Sequence, residues 1–209
     1  MKIMLDAGHG GNDSGAIGID FKEKDFNLEI SNLVKSYLGE YNCTVYTTRE
    51  QDNTLSLEDR VKLSNKNNCD IYVSIHCNAY SNSTANGFES FSYKSNNELQ
   101  NKIHDNLMKV LKLKDRGKKT SNFYVIKNTY AKAVLLELGF ITNKSDSEFM
   151  KKNKESIAKA ITNGIVEYGK LSKHSRVYRV QVGVYSNLDN AKSIRDKLIK
   201  EGYNAIIAY

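Results

Sequence analysis

Two hydrophobic rhythms exchange along the chain. Residues 2–6, KIMLD, form a short apolar run of the length of a buried strand. Residues 25–39 place Phe26, Ile30, Leu33, Val34, Tyr37 and Leu38 at helical spacing, with Asp25 or a neighbour as cap and Gly39 as stop. A strand is predicted at 43–48 and a helix at 56–68, where Ser56 and Asp59 resemble a capping box. Strands follow at 70–79 and 88–93. A helix over 97–113 carries Leu99, Ile103, Leu107, Val110 and Leu111 on one side. Residues 123–127 and 133–139 read as strands, and 145–169 as one or two helices. Strands alternating with helices predict an α/β fold, a mostly parallel twisted sheet flanked by helices on both faces. Ligands of such sheets gather at the carboxyl ends of the strands. The rhythm resets at residues 170–176, KLSKHSR, and the last stretch reads strand, helix, strand. A βαβ piece of that size buries too little to fold well alone.

Length and composition narrow this picture. The 209 residues suit one main domain with room for a small second one. There is no apolar run of about 18 residues, so no transmembrane helix is expected. Met1 and Lys2 lead directly into IMLDAGHGG, too short and too polar for the apolar core of a signal peptide. The expectation is synthesis in the cytoplasm, with any action outside the cell waiting on release by a holin or by lysis. Cys43, Cys69 and Cys77 are odd in number and form no CxxC pair, which argues for reduced thiols. The net charge of +7 is concentrated: residues 94–132 hold ten Lys and Arg against Glu98, Asp105 and Asp115. This segment reads either as a patch for a polyanionic partner or as a solvated helix face. No nucleic-acid-binding module is visible, so nucleic acid is not an expected partner.

Three polar residues fall where strands end or inside one. His9 follows the first strand in a glycine-rich loop, His76 follows residues 71–75, and Glu137 lies within the apolar run AVLLELGF. A carboxylate in a buried strand is costly without a partner or a task. Glu23 stands just before a helix, in FKEKDFNL. Taken singly, His9 suits a loop, His76 a hydrogen-bonded core position and Glu23 a surface charge. Taken together, two imidazoles and a carboxylate make a three-ligand zinc set with one position open. Cys77 adjoins His76, but strand neighbours point to opposite faces, so it reads as packing.

The blocks LDAGHGGNDSGAIG, KEKDFNL, SIHCNA, GFES, DRGKKTSNFYVIKNT and AVLLELGFITN occur in the order and spacing of the zinc-dependent N-acetylmuramoyl-L-alanine amidases of the amidase-3 family. The chain resembles that family over residues 1 to about 170. The resemblance implies a catalytic domain over 1–170 that cleaves the amide between N-acetylmuramic acid and L-alanine in peptidoglycan. It implies one Zn2+ per chain on His9, Glu23 and His76, with Glu137 catalytic. Asn78, Glu89 and Arg116 are weaker candidates for touching substrate or supporting the ligands. Ala7 and Lys132 stand where relatives often carry proline, and neither change removes a ligand. After a linker at 171–176, residues 177–209 resemble half of a SPOR domain, in YRVQVGVYSNLDNAKSIRDKLIKEGYNAII. That resemblance implies binding to glycan strands, and an unpaired half suggests a homodimer in which two chains join their halves. Sporulation mother-cell amidases and clostridial phage endolysins both carry similar features, and the choice between these settings stays open.

Overall fold

The computed structural model describes residues 1–174 and 181–208, in two compact units, Met1–His174 and Ser175–Tyr209. The first unit is built on six strands: β1 (Lys2–Ala7), β2 (Thr44–Thr47), β3 (Ile71–Asn78), β4 (Phe88–Ser92), β5 (Asp115–Thr120) and β6 (Lys132–Phe140). Their order in the sheet is β2-β1-β3-β6-β4-β5. All neighbours are parallel except β4 and β6, which run antiparallel. Helices α1 (Glu23–Leu38), α2 (Leu57–Lys66), α3 (Glu98–Val110), α4 (Tyr124–Asn128), α5 (Lys144–Lys152) and α6 (Lys154–Gly169) lie between the strands and after the last one.

The central strands β1, β3 and β6 read as unbroken apolar runs because both of their faces are covered. On one face Ile3, Ile71, Val73, Val134 and Leu136 pack with Phe26, Ile30, Leu99, Ile103 and Ile161 from α1, α3 and α6. On the other, Met4, Tyr72, Ala133 and Leu135 pack with Val61 of α2 and Val125 and Ile126 of α4. Ser56 caps α2, its hydroxyl accepting from Asp59 N at 3.1 Å and donating to Asp59 Oδ2. Helix α1 begins after Lys22 with no side-chain cap, and the acidic Glu23 and Asp25 occupy its first turn instead. Gly39 ends it.

One expectation is corrected, and one strand was not expected. Residues 123–127 were expected as a strand, but Tyr124–Asn128 is a single helical turn that buries Val125 and Ile126. A five-residue apolar run does not distinguish a strand from a buried turn by periodicity. The sheet strand of this region is instead β5, DRGKKT, which lacks the apolar alternation of a strand altogether. It is an edge strand, and charged edges resist pairing with other chains.

In the second unit, helix α7 (Leu188–Lys200) forms, with Asn187 capping it through Asp189 N and Asn190 N. The segments 181–185 and 203–208, expected within flanking strands, carry no strand pairing among the described residues. The rest of the first expected strand lies outside the described residues. No residue of α7 is buried, and Val182, Val184, Leu188, Ile199, Tyr203 and Ile206 are all exposed.

Candidate metal centre

His9, Glu23 and His76 converge at the carboxyl ends of β1 and β3. Their three donor atoms all lie within 4.8 Å of one another. Glu23 Oε1 stands 3.2 Å from His9 Nε2 and 3.0 Å from His76 Nδ1. The carboxylate is held from behind by the backbone: Cys77 N donates to Oε1 at 3.0 Å and Ala16 N to Oε2 at 2.9 Å. Asn27 Nδ2, one turn along α1, donates to Oε1 at 3.3 Å. Burial pushes the Glu23 carboxyl up, but the bonds and charges of His76 and His9 outweigh it and hold the group well below its usual range. The same contact, helped by Asp13, overcomes the effect of burial on His9 and raises it to about 9. The arrangement fits a zinc ion. It offers two imidazole nitrogens and one carboxylate oxygen, facing one another across a space that a divalent cation spans.

The glycines of the first loop have a steric purpose. A Cβ on Gly8 would sit 2.2 Å from His76 Cε1, so the loop can cross this ring only without a side chain. The left-handed strain falls on His9 itself, at φ 59°. Two buried arginines hold it there. Arg49 donates to the carbonyls of Ala7 and Gly8, both at 3.0 Å, and Arg60 to those of Ala7 (2.7 Å) and His9 (2.6 Å). Every carbonyl from Ala7 to His9 therefore has a guanidinium partner. Asp13 Oδ2 lies 2.8 Å from His9 Nδ1, the usual means of fixing a ligating imidazole's orientation and tautomer.

Glu137 joins this group through the sheet. His76 of β3 and Glu89 of β4 are its register partners on either side. The three side chains therefore share one row of one face. Glu137 Oε2 is buried and has no hydrogen-bond partner among the described residues. Burial raises its carboxyl to about 7: the charge of His76 opposes this, while those of Glu23 and Glu89 add to it. A carboxylate with a raised pKa and an unpartnered oxygen beside His76 is equipped to accept and return a proton near neutral pH.

Asn78, Glu89 and Arg116 prove to be one connected group beside that row. Asn78 Nδ2 donates to Glu89 Oε1 at 2.6 Å, and Arg116 Nε donates to Glu89 Oε2 at 3.0 Å. Arg116 also lies over the Phe140 ring, 4.9 Å from its centroid. Lys119 ion-pairs with the same Glu89 oxygen. Cys77 points to the opposite face and packs against Asn27 and Met150. All three cysteines are free thiols.

Sequence reasoning did not single out Asp13, Arg49, Arg60 or Lys119. Asp13 was visible as an acid four residues after His9 in HGGND. The arginines had a fainter signal, being two of only six in a chain whose other 25 basic residues are lysine.

The sequence model of the N-acetylmuramoyl-L-alanine amidase family matches residues 3–167, and that of the SPOR domain matches 157–209. The second match begins inside α6, whose Ile157, Ile161 and Ile165 are fully buried in the first unit's core. The sporulation-specific N-acetylmuramoyl-L-alanine amidase of Bacillus subtilis is 33% identical over 99% of this chain and 84% of its own length. The endolysin of Bacillus phage SPP1 is 38% identical over 83% of this chain and 68% of its own length. Among solved structures, the catalytic domain of CwlV from Bacillus (Paenibacillus) polymyxa var. colistinus superimposes with a TM-score of 0.79 at 35% identity. That match covers 82% of this chain and 99% of the CwlV domain. No helix among the described residues is long and apolar enough to cross a membrane.

Proposed function

Because this chain belongs to the N-acetylmuramoyl-L-alanine amidases, we propose that His9, Glu23 and His76 hold one catalytic zinc and that Glu137 carries the proton transfers. The chain is a peptidoglycan amidase of cell-wall lysis, cleaving the bond that joins the lactyl group of N-acetylmuramic acid to L-alanine. The observation that carries the finer reading is the orphaned oxygen of Glu137, one row position from a ligand histidine.

A zinc ion on these donors supplies polarisation of the substrate carbonyl and acidifies a water toward neutrality. Glu137 accepts a proton from the attacking water as its oxygen bonds to the carbonyl carbon. The carbon–nitrogen bond then breaks, and Glu137 returns the proton to the departing L-alanine nitrogen. The products are the free lactyl carboxyl and a new amino terminus. Glu23 and His76 are fixed by backbone and sheet, and His9 by Asp13 and the two arginines, so little reorganisation is needed when the reaction begins.

The catalytic domain is taken as residues 1–170, the linker as 171–176 and the half-SPOR piece as 177–209. The exposed apolar side chains of the second unit support the view that it anchors to glycan strands and pairs with the same piece of a second chain. Sedimentation tests the pairing: a strict monomer at all concentrations rules it out. The catalytic reading is tested by comparing wild type and Glu137→Ala on purified peptidoglycan, with zinc content measured on both. The expected result is new N-terminal L-alanine from wild type, and a variant that keeps about one zinc and releases none. A wild type that binds zinc and wall but cuts nothing overturns it.

A further inference from the structure

The basic segment 94–132 is not used by the zinc site, and part of it lies beside that site on the sheet. Helices α2 and α4 close the β1–β3–β6 part of one face. At the edge of that cover, on the same face, Phe91 of β4 is half-buried against the cluster and the Lys119 side chain of β5 is exposed, with α3 packed on the reverse. The strip starts at Glu89, next to Glu137, and continues to Phe91, two residues and about 7 Å further along β4. The Phe91 ring meets Phe123 edge-on, with centroids 5.2 Å apart. Lys119 Nζ lies 5.8 Å from the Phe91 centroid, and Lys127 Nζ 6.0 Å from that of Tyr93. Phe123 and Tyr93 are 41% and 40% exposed, high values for large aromatic side chains.

The charge of this strip is unbalanced. Arg116 and Lys119 share the single carboxylate of Glu89, and Lys127 faces a ring instead of an acid. The surplus is positive and lies against apolar ring surface. A glycan of N-acetylated sugars is uncharged along its chain and gains little from lysines. The peptide arm of the same substrate carries carboxylates between short apolar side chains, which matches the strip in both respects.

We propose that the β4–β5 strip is the subsite for the stem peptide beyond its first residue, with Lys119 and Lys127 facing its carboxylates and Phe91 and Phe123 its apolar surface. This inference rests on the amidase reading above. The strip begins one strand away from the residue that works on the scissile amide. Its 7 Å matches about two extended peptide residues, so it receives the part of the peptide that follows L-alanine.

The test compares two soluble substrates, N-acetylmuramoyl-L-alanine and N-acetylmuramoyl carrying the complete stem peptide, using the full zinc-loaded protein. Phe123→Ala combined with Lys127→Ala is expected to raise KM for the complete stem roughly tenfold at unchanged kcat, while kcat/KM for the truncated substrate stays at the wild-type value. A second readout is independent of turnover. Free stem peptide titrated into the zinc-loaded Glu137→Gln protein should shift the amide NMR signals of Phe91, Lys119 and Phe123, and adding Phe123→Ala and Lys127→Ala to that protein should abolish the shifts at Phe91 and Lys119. The proposal is overturned if KM moves equally for both substrates or for neither, if the loss follows glycan length instead of peptide length, or if free peptide shifts no signal in the strip. If wild type cuts neither substrate, the amidase reading fails and the NMR titration alone decides the subsite.

Discussion

The buried Asp6 and the half-buried Glu137, whose Oε2 is buried, stand one row apart on the same face of the sheet, and their surroundings are opposite. Asp6 accepts from Arg60 at 2.7 Å, Ser74 at 2.7 Å and Thr48 at 2.9 Å. Burial pushes its carboxyl up, but the Arg60 charge and these bonds more than compensate, and it titrates below its ordinary range. Glu137 has a buried oxygen with no partner among the described residues, and burial raises the group to about 7. Asp6 is tied into structure: its partner Arg60 also holds the carbonyls of Ala7 and His9. Glu137 is left unsatisfied in the row that holds His76. A fold maintains a costly feature of this kind where chemistry requires it, and the partner list, not burial, separates the two roles.

The sharpest way to break the comparison is to remove each acid in turn. Glu137→Gln is expected to lower kcat at least about 10³-fold while zinc content, read by metal analysis, stays near one per chain. Asp6→Ala is expected to cost about 3–5 kcal/mol in urea unfolding, because it leaves Arg60 buried and unpaired. If Asp6→Ala proves as stable as wild type, the division into structural and catalytic acids is wrong.

The two acids also give pH dependences of opposite sign. The stabilisation from Asp6 is complete above its unfolded value of about 3.9 and is lost as pH falls through the lower folded value. Glu137 has a folded value above its unfolded one, so metal-free protein loses stability as pH rises from about 4.3 to about 7. In chelated samples Glu137→Gln should therefore match wild type near pH 4 and exceed it by about 1–3 kcal/mol at pH 8. Equal stability at both values would show that Glu137 finds a partner in solution.

Smaller effects refine the picture around the ligands. Asp13→Asn weakens the hold on His9 Nδ1 and is expected to lower zinc affinity about 10–100-fold in a chelator competition. Ending the chain at His174 should change the unfolding free energy of the first unit by less than about 1 kcal/mol, since the first unit holds a buried core of its own. A larger loss would show that the second unit contributes to the stability of the first.

Much of the site was legible in the residues. His9, His76 and Glu137 stood out because polar groups at strand ends and inside an apolar strand need a reason. Asn78, Glu89 and Arg116 were only weak candidates, because nothing in their spacing shows that β4 pairs antiparallel with β6 and sets Glu89 beside Glu137. Strand β5 was missed because an edge strand needs no apolar alternation, and α4 was misread because a single buried turn has no period.

The sequence by itself determined most of the alternation of strands and helices, the two-faced burial of the central strands and the residue types that meet at the candidate metal centre. These follow from local periodicity and from the cost of burying a charge, both carried by the chain in order. Only the tertiary structure decided which acids are partnered. Arg60 reaches Asp6 across 54 positions and Cys77 N reaches Glu23 across 54. Hydrogen bonds of that span are set by how the strands are ordered in the sheet. That order leaves Asp6 with a full set of partners and one oxygen of Glu137 with none.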